Sequence, residues 1–372
     1  MSGTSLDGID AVLVAFPAPP SLQKPVLIAS HSTVFPIDVK KKILALCQPD
    51  TDEVNRMAEL DVELGELFAD AIMGMLHKSG HSANEITAIG CHGQTIRHHS
   101  IASNRRFSLQ IGDPNTIAFQ TGITTVADFR RMDIAALGQG APLVPAFHDA
   151  ILRHPNENRV IVNIGGMANL TLLARDEPVI GFDTGPGNVL MDAWIDKHLN
   201  QPWDENGDWA GRGQLIPSLL EVWLQNPFFL QAAPKSTGRE TFNLDWVQRE
   251  LGKHDSHNPA DIQRTLLELT ARTITDSIQQ LPTTISRILL CGGGSHNTLL
   301  KQRIAELLPS IPVDSTMTEG IDPDWLEAMA FAWLAKQRLE KKPGNLSTVT
   351  GSTTACILGG VYEPPGKTTR EN

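Results

Sequence analysis

Residues 160–192 constrain the architecture of this chain more than any other stretch. They read Val160-Ile-Val-Asn-Ile-Gly165-Gly-Met-Ala-Asn169-Leu-Thr-Leu-Leu, then Pro178-Val-Ile-Gly-Phe-Asp183-Thr-Gly-Pro-Gly-Asn188, then an apolar helical run. β-branched residues lead up to the Gly165-Gly166 pair and resume after Asn169, the pattern of two short strands joined by a tight turn. A bend of that kind turns main-chain N–H groups toward an anion such as phosphate. Asp183 closes a buried run just before a Gly-Pro-Gly turn and a helix at 188–199. Strand ends facing helix N-termini are where open α/β folds place ligands, so Asp183 is a candidate catalytic base. The same residues would also serve as a helix cap and an ordinary hairpin.

An anion bound there cannot rely on bulk charge. The formal net charge is −11, which argues against nucleic acid or an anionic membrane as the main partner. With 41% hydrophobic and 20% charged residues over 372 positions, the chain reads as a soluble protein long enough for two domains. Cys47, Cys91, Cys291 and Cys356 are far apart and form no Cys-x-x-Cys pair, so neither a zinc nor a disulfide framework is expected. No signal-like N-terminus and no membrane-length apolar run is present, and a cytoplasmic protein is expected.

Residues 1–10 are dense in Ser, Thr and Gly and feed a strand at 11–16, like the far half of a phosphate-binding hairpin. They form neither a P-loop nor a Gly-x-Gly-x-x-Gly turn. With the Gly165-Gly166 turn they suggest duplicated halves holding one polyphosphate from both sides. A second strand is expected at 26–34 and an amphipathic helix at 52–78, stopped by Gly80. A short strand at 86–91 runs into the polar passage 92–99, read as a substrate-contacting loop because its histidines match no common zinc spacing. Strands at 107–111 and 124–129 precede Arg130 and Arg131, which would either lie on the surface as solvated charges or, following a strand end beside glycine turns, clamp an anion or a sugar carboxylate. A helix at 143–153 follows. Segment 203–213 is expected to be a mobile loop, and Lys235 and Arg239 flank a Ser-Thr-Gly turn that would suit a phosphate or a substrate acid group, or be a plain basic loop. A long helix is expected at 258–280. Gly292, Gly293 and Gly294 follow a buried strand, where glycines admit a nucleotide base or ribose, or simply make a tight turn. Glu327 lies in the first turn of a helix at 322–335, where it would contact a ligand or complement the helix dipole.

Several motifs together resemble the anhydro-N-acetylmuramic acid kinase family over nearly the whole chain. They are Met-Ser-Gly-Thr-Ser-Leu-Asp-Gly-Ile-Asp, His-Gly-Gln-Thr-Ile-Arg-His, Ala-Asp-Phe-Arg-Arg-Met-Asp-Ile-Ala, Gly-Gln-Gly-Ala-Pro-Leu-Val-Pro, Asn-Ile-Gly-Gly-Met-Ala-Asn, Phe-Asp-Thr-Gly-Pro-Gly-Asn, Lys-Ser-Thr-Gly-Arg-Glu, Cys-Gly-Gly-Gly-Ser-His-Asn and Asp-Trp-Leu-Glu-Ala-Met-Ala-Phe-Ala-Trp-Leu-Ala. The resemblance implies the sugar kinase, heat-shock-70 and actin superfamily: an α/β fold of two similar actin-like (ribonuclease H-like) domains with an ATP cleft between them. The expected division is 1–130 for the first domain, rejoined by 345–372, and 131–344 for the second. By resemblance, ATP with Mg²⁺ is held by Gly3, Thr4, Ser5, Leu6, Asp7, Gly8, Ile9 and Asp10, by Gly165, Gly166 and Asn169, and by Gly292, Gly293 and Gly294. Asp183 falls on the catalytic acid, Thr95, Arg130, Arg131 and Glu327 are candidates for gripping the sugar, and no dedicated protein metal site is implied.

The implied reaction phosphorylates 1,6-anhydro-N-acetylmuramic acid at O6 while water opens the anhydro ring, giving the 6-phosphate and ADP in cell-wall recycling. A small-molecule sugar partner and a homodimer are implied as well. One departure is that the family carries a short apolar strand before the Met-Ser-Gly-Thr motif, whereas this sequence starts at the motif's methionine, and weakened ATP binding is expected from that. Two other readings are an ordinary amino-sugar kinase without ring opening and a nucleotide-gated binding protein that phosphorylates nothing.

Overall fold

The computed structural model describes residues 1–3, 6, 8–17, 24–47, 50–99, 105–233, 235–252 and 257–366. The chain forms two compact units, Met1–Phe147 with Glu327–Asn372, and His148–Leu326.

In the first unit β1 (Gly8–Ala15) pairs antiparallel with β2 (Val26–Val34). Gly8 has to be glycine, because a Cβ there would lie 2.3 Å from the Thr33 carbonyl oxygen. Met1 takes a strand-like place beside β1: its amino group donates to the Asp10 carbonyl at 2.7 Å and its carbonyl accepts from the Asp10 amide at 2.8 Å. β3 (Ile89–Gly90) is followed by the antiparallel pair β4 (Gln94–His99) and β5 (Phe107–Ile111). β6 (Thr125–Ala127) lies between β3, to which it is parallel, and the C-terminal strand Gly360–Tyr362, to which it is antiparallel. The passage after His92 is therefore a strand and not a loop. Its polar residues hide the alternation, but Gln94 and Ile96 face inward while His98 and His99 do not. Helices Ile37–Leu46, Glu53–Ser79 and Pro114–Thr121 supply Ile43, Leu60, Leu64 and Ile117 to the core of this unit. Burial of each such side chain contributes roughly 1.5–3 kcal/mol. The long helix stops at Gly80, whose φ of 75° and amide bond back to the His77 carbonyl make a left-handed cap.

The division differs from the one expected at 130/131 and 344/345, because two long-range clusters hold 131–147 and 327–344 in the first unit. Asp133, fully buried, accepts from the Gly140 amide at 2.8 Å and from Asn345 Nδ2 and Thr350 Oγ1 at 2.6 Å each. That carboxylate ties the glycine-rich passage to the C-terminal segment. In the helix Leu326–Leu339, Phe331, Leu334 and Ala335 pack with Val126, Phe129, Leu143 and Leu358.

The second unit is built on one sheet of β7 (Arg159–Ile164), β8 (Met167–Leu173), β9 (Ile180–Pro186), β10 (Arg287–Cys291) and β11 (Val313–Ser315), in the order β11-β10-β7-β8-β9. β7, β8 and β9 form an antiparallel meander, and β10 and β11 extend it in parallel on the other side of β7. This is the mixed order of an actin-like, ribonuclease H-like domain. β7 is central, and Val160, Ile161, Val162 and Ile164 are all fully buried, as an apolar run covered on both faces requires. Helices Val189–Leu199 and Pro259–Gln279 bring Leu190, Trp194, Ile262, Leu266 and Ile274 into the same core as Phe182 and Leu170. Segment 203–213 is not the open loop expected of it. The buried Asp204 carboxylate accepts from the amides of Trp209 and Ala210 at 2.8 and 2.9 Å and from Gln263 Nε2 at 3.2 Å, folding the segment around itself.

Candidate functional site

Three half-buried polar residues interrupt otherwise buried strands of the second unit: Asn163 on β7, Asn169 on β8 and Asp183 on β9. The register sets Asn163 opposite Asn169 and Asn169 opposite Asp183. Residues directly opposite across a sheet share a face, so the three make one polar row, continued by Cys291 opposite Asn163 on β10. Asn163 was not singled out from the sequence. The signal was one amide in a run of Val and Ile, a position where a strand buried on both faces tolerates polarity only with a partner.

Asp183 is held by the segment that follows residue 234. Its amide donates to the Lys235 carbonyl at 3.0 Å. Its Oδ2 accepts from the Thr237 amide at 2.9 Å and from Ser236 Oγ at 3.0 Å. Both bonds go to one carboxylate oxygen. Burial pushes the Asp183 carboxyl above its ordinary value, the Thr237 and Ser236 donors oppose that, and the charge of Glu240 adds to it. A carboxylate so placed is a stronger base than one in water. β9 continues past Asp183 to Pro186, so the residue sits within the strand rather than at its last position. The Lys235 ammonium donates to the Phe228 and Phe229 carbonyls at 3.3 and 3.2 Å and lies 4.8 Å from the Phe228 ring centre. Burial lowers its pKa. Arg239 does approach the hairpin, with a guanidinium nitrogen 3.9 Å from where a Gly166 Cβ would be.

At the β7–β8 bend the Gly165 amide donates to the Met167 carbonyl at 3.2 Å. The Gly165 carbonyl accepts from the Asn188 amide at 2.8 Å, and the Gly166 carbonyl from Gly187 and Val189 at 2.9 and 3.1 Å. The hairpin is thus clamped to the start of the helix Val189–Leu199, and side chains added at Gly165 or Gly166 would meet no atom closer than 3.6 Å. The three glycines after β10 differ from one another. Gly292, at φ 77°, would place a Cβ 2.4 Å from Asn163 Oδ1, and Gly294 would place one 2.3 Å from the Ile164 side chain. Those two are glycine because the turn packs on the hairpin. Gly293 meets only Asn188 Nδ2, at 4.0 Å, and is the one with room for a ligand.

In the first unit Thr4, Ser5 and Asp7 lie outside the described residues. Gly3 accepts from the Leu6 amide at 3.3 Å, and Asp10 Oδ1 accepts from Ser32 Oγ at 2.8 Å. Leu6 and Ile9 turn their side chains into the core, leaving only main-chain groups for a ligand. Thr95 accepts from Gln110 Nε2 at 3.0 Å. The two arginines part company. Arg130 donates from Nη1 to the Gly140 carbonyl and from Nη2 to His92 Nε2, both at 2.8 Å, and its Nε is buried without a partner among the described residues. Burial lowers its pKa to about 10, against the pull of Glu327 and Asp133, and it stays charged. Arg131, its side chain 60% exposed, pairs with Asp128 at 3.3 Å. Glu327 is exposed at the start of its helix, close enough to Arg130 and the Met1 ammonium for their charges to act on it. The histidines go separate ways: His92 to Arg130, His98 to Ser108 Oγ at 2.9 Å, and His99 against the Phe107 ring.

A family model described as anhydro-N-acetylmuramic acid kinase matches residues 1–364. A protein of that name from Pasteurella multocida is 50% identical over 363 residues, covering 97% of this chain and 95% of its own. One from Saccharophagus degradans is 49% identical over 367 residues, covering 98% of each. One from Shewanella frigidimarina is 50% identical over 364 residues, covering 98% of this chain and 97% of its own.

Proposed function

The chain belongs to the anhydro-N-acetylmuramic acid kinase family, and from that premise we propose that it is a hydrolytic sugar kinase acting on 1,6-anhydro-N-acetylmuramic acid. In this reaction the C1–O6 bond breaks, O6 takes the γ-phosphoryl group of ATP, and the oxygen of a water molecule bonds to C1. Opening an acetal with inversion ordinarily needs one acid for the departing oxygen and one base for the water. Phosphoryl transfer to O6 replaces the acid, so a single carboxylate suffices. Asp183 takes the proton of the attacking water.

The observation that carries this reading is the one-sided hydrogen bonding of Asp183. With Oδ2 fixed by Ser236 and Thr237, the carboxylate is oriented, and Oδ1, which takes no hydrogen bond from the described residues, is the oxygen that receives the water. Asn169 in that polar row and Gly165 and Gly166 at the bend of the same hairpin form the phosphate-binding group, with Gly293 for the adenosine. Thr95, Arg130 and Glu327 serve the sugar, whose carboxylate suits a guanidinium fork. Arg131 is left out, being exposed and paired with Asp128. Mg²⁺ would arrive on the phosphates of ATP and neutralise their charge. A cytoplasmic homodimer working in cell-wall recycling completes the proposal.

ADP release measured with the anhydro sugar should be nearly abolished by Asp183→Asn while sugar binding survives. Product made in ¹⁸O-water should carry one solvent oxygen at C1. Product without that label would reduce the reading to an ordinary amino-sugar kinase.

A further inference from the structure

His92 is 6% exposed and packs its ring 4.6 Å, centre to centre, from Phe331. Its Nδ1 lies 2.8 Å from the Gly93 carbonyl and 3.2 Å from the Ser2 carbonyl. Carbonyl oxygens only accept, so Nδ1 carries the proton. Nε2 lies 2.8 Å from Arg130 Nη2, and a guanidinium only donates, so Nε2 offers its lone pair. Neighbours on both sides of the ring thus require the same neutral tautomer. Burial and the charge of Arg130 keep the ring neutral, holding its pKa well below the ordinary histidine value.

Arg130 spends one N–H on the Gly140 carbonyl and one on His92. These two bonds fix the plane of the guanidinium, and its Nε–H is buried with no partner among the described residues. Leaving a buried donor of a charged group unmade is costly, and a bound anion would satisfy it. We infer that His92 is the positioning residue of Arg130: a neutral imidazole, locked by two main-chain carbonyls, that aims the remaining guanidinium N–H groups at the carboxylate of the sugar. This rests on the reading of Arg130 as a sugar contact. His92 acts one step behind the ligand.

The test uses the full chain and two replacements. His92→Phe keeps the ring and its packing on Phe331 but removes the acceptor, whereas His92→Gln supplies an amide oxygen in its place. Misaiming a charge-assisted bond should raise the sugar KM about tenfold in His92→Phe, with kcat and the ATP KM within about twofold, and His92→Gln should recover most of the loss. A sugar KM within twofold of native in His92→Phe overturns the inference. So does an equal loss in both variants, which would mark a merely structural ring.

A second readout does not depend on turnover. ¹⁵N spectra of the imidazole in the unliganded protein should show the Nδ1–H tautomer, with an Nε2 resonance that moves on Arg130→Lys. An Nε2–H tautomer, or an Nε2 signal indifferent to that substitution, overturns the inference even for an active kinase. If the native chain released no ADP in response to the sugar, the functional reading would fall, and the spectra would still decide whether His92 positions Arg130.

Discussion

Ser236 donates its hydroxyl to Oδ2 of Asp183 at 3.0 Å, on the same oxygen that receives the Thr237 amide. The two donors differ in how they can be removed, since only the hydroxyl belongs to a side chain. A hydrogen bond to the ionised form favours that form, so Ser236→Ala should raise the Asp183 pKa beyond the increase that burial already causes. A base must be unprotonated to work, and the acid limb of the kcat profile should therefore move to higher pH. At neutral pH, where the Thr237 amide still orients the carboxylate, kcat should fall by only about two- to tenfold. An acid limb that stays in place would separate Ser236 from the ionisation of Asp183.

Gly292 and Gly293 are adjacent, yet substitution should affect them differently. A methyl group on Gly292 meets Asn163 Oδ1 at 2.4 Å on a backbone with φ of 77°, so Gly292→Ala should destabilise the protein by about 1–3 kcal/mol. Gly293→Ala meets nothing closer than 4.0 Å. It should unfold within about 0.5 kcal/mol of native and should raise the ATP KM if adenosine rests on that turn. Paired melting curves and ATP titrations check both expectations.

Asp133 joins two passages far apart in sequence. Its oxygens take the Gly140 amide, Asn345 Nδ2 and Thr350 Oγ1, and all three of these residues are buried with it. Asp133→Ala would leave three donors without their acceptor in a buried place, at a cost of about 3–5 kcal/mol. Its melting transition should fall accordingly, while Thr350→Val, which removes one donor, should cost about 1 kcal/mol. Equal losses in the two variants would contradict a carboxylate shared among three partners.

How much of this was legible in the sequence depended on how local the cause was. The β7–β8 hairpin, the strand at β2 and the Gly80 stop follow from neighbours in the chain, and the structure has them where periodicity and turn chemistry put them. Asp183 stood out because glycine turns flank it. What the sequence could not display were contacts made at a distance: Asn163 beside Asn169 and Asp183 through strand register, His92 beside Arg130, and the helix Leu326–Leu339 belonging with Val126 and Phe129. Glycine was ambiguous for the same reason. Gly292 and Gly294 look like ligand glycines in one dimension and prove to be packing glycines against Asn163 and Ile164. The polar alternation of β4 resembles a loop in one dimension, and only its pairing with β5 supplies the register that makes it a strand.

His148 offers a test of stability that needs no ligand. It is 1% exposed, its Nδ1 lies 2.9 Å from Thr171 Oγ1, and its Nε2 has no partner among the described residues. Burial lowers its pKa from the ordinary 6.5 to about 3. The unfolded chain takes a proton below pH 6.5 that the folded chain refuses, so the unfolded state binds more protons across this window. Stability associated with His148 is therefore intact above pH 6.5 and drains away as pH falls toward 3, by about 1.4 kcal/mol per unit. Replacing only the histidine would strand the buried Thr171 hydroxyl. The double variant His148→Leu with Thr171→Val removes both partners together, which can be nearly neutral at pH 7. Urea unfolding at pH 7 and pH 5 should show the native protein losing more stability between the two than the double variant does. Equal losses would mean that His148 is protonated in the fold as readily as in the open chain, and that its burial has no hold on the acid stability of this unit.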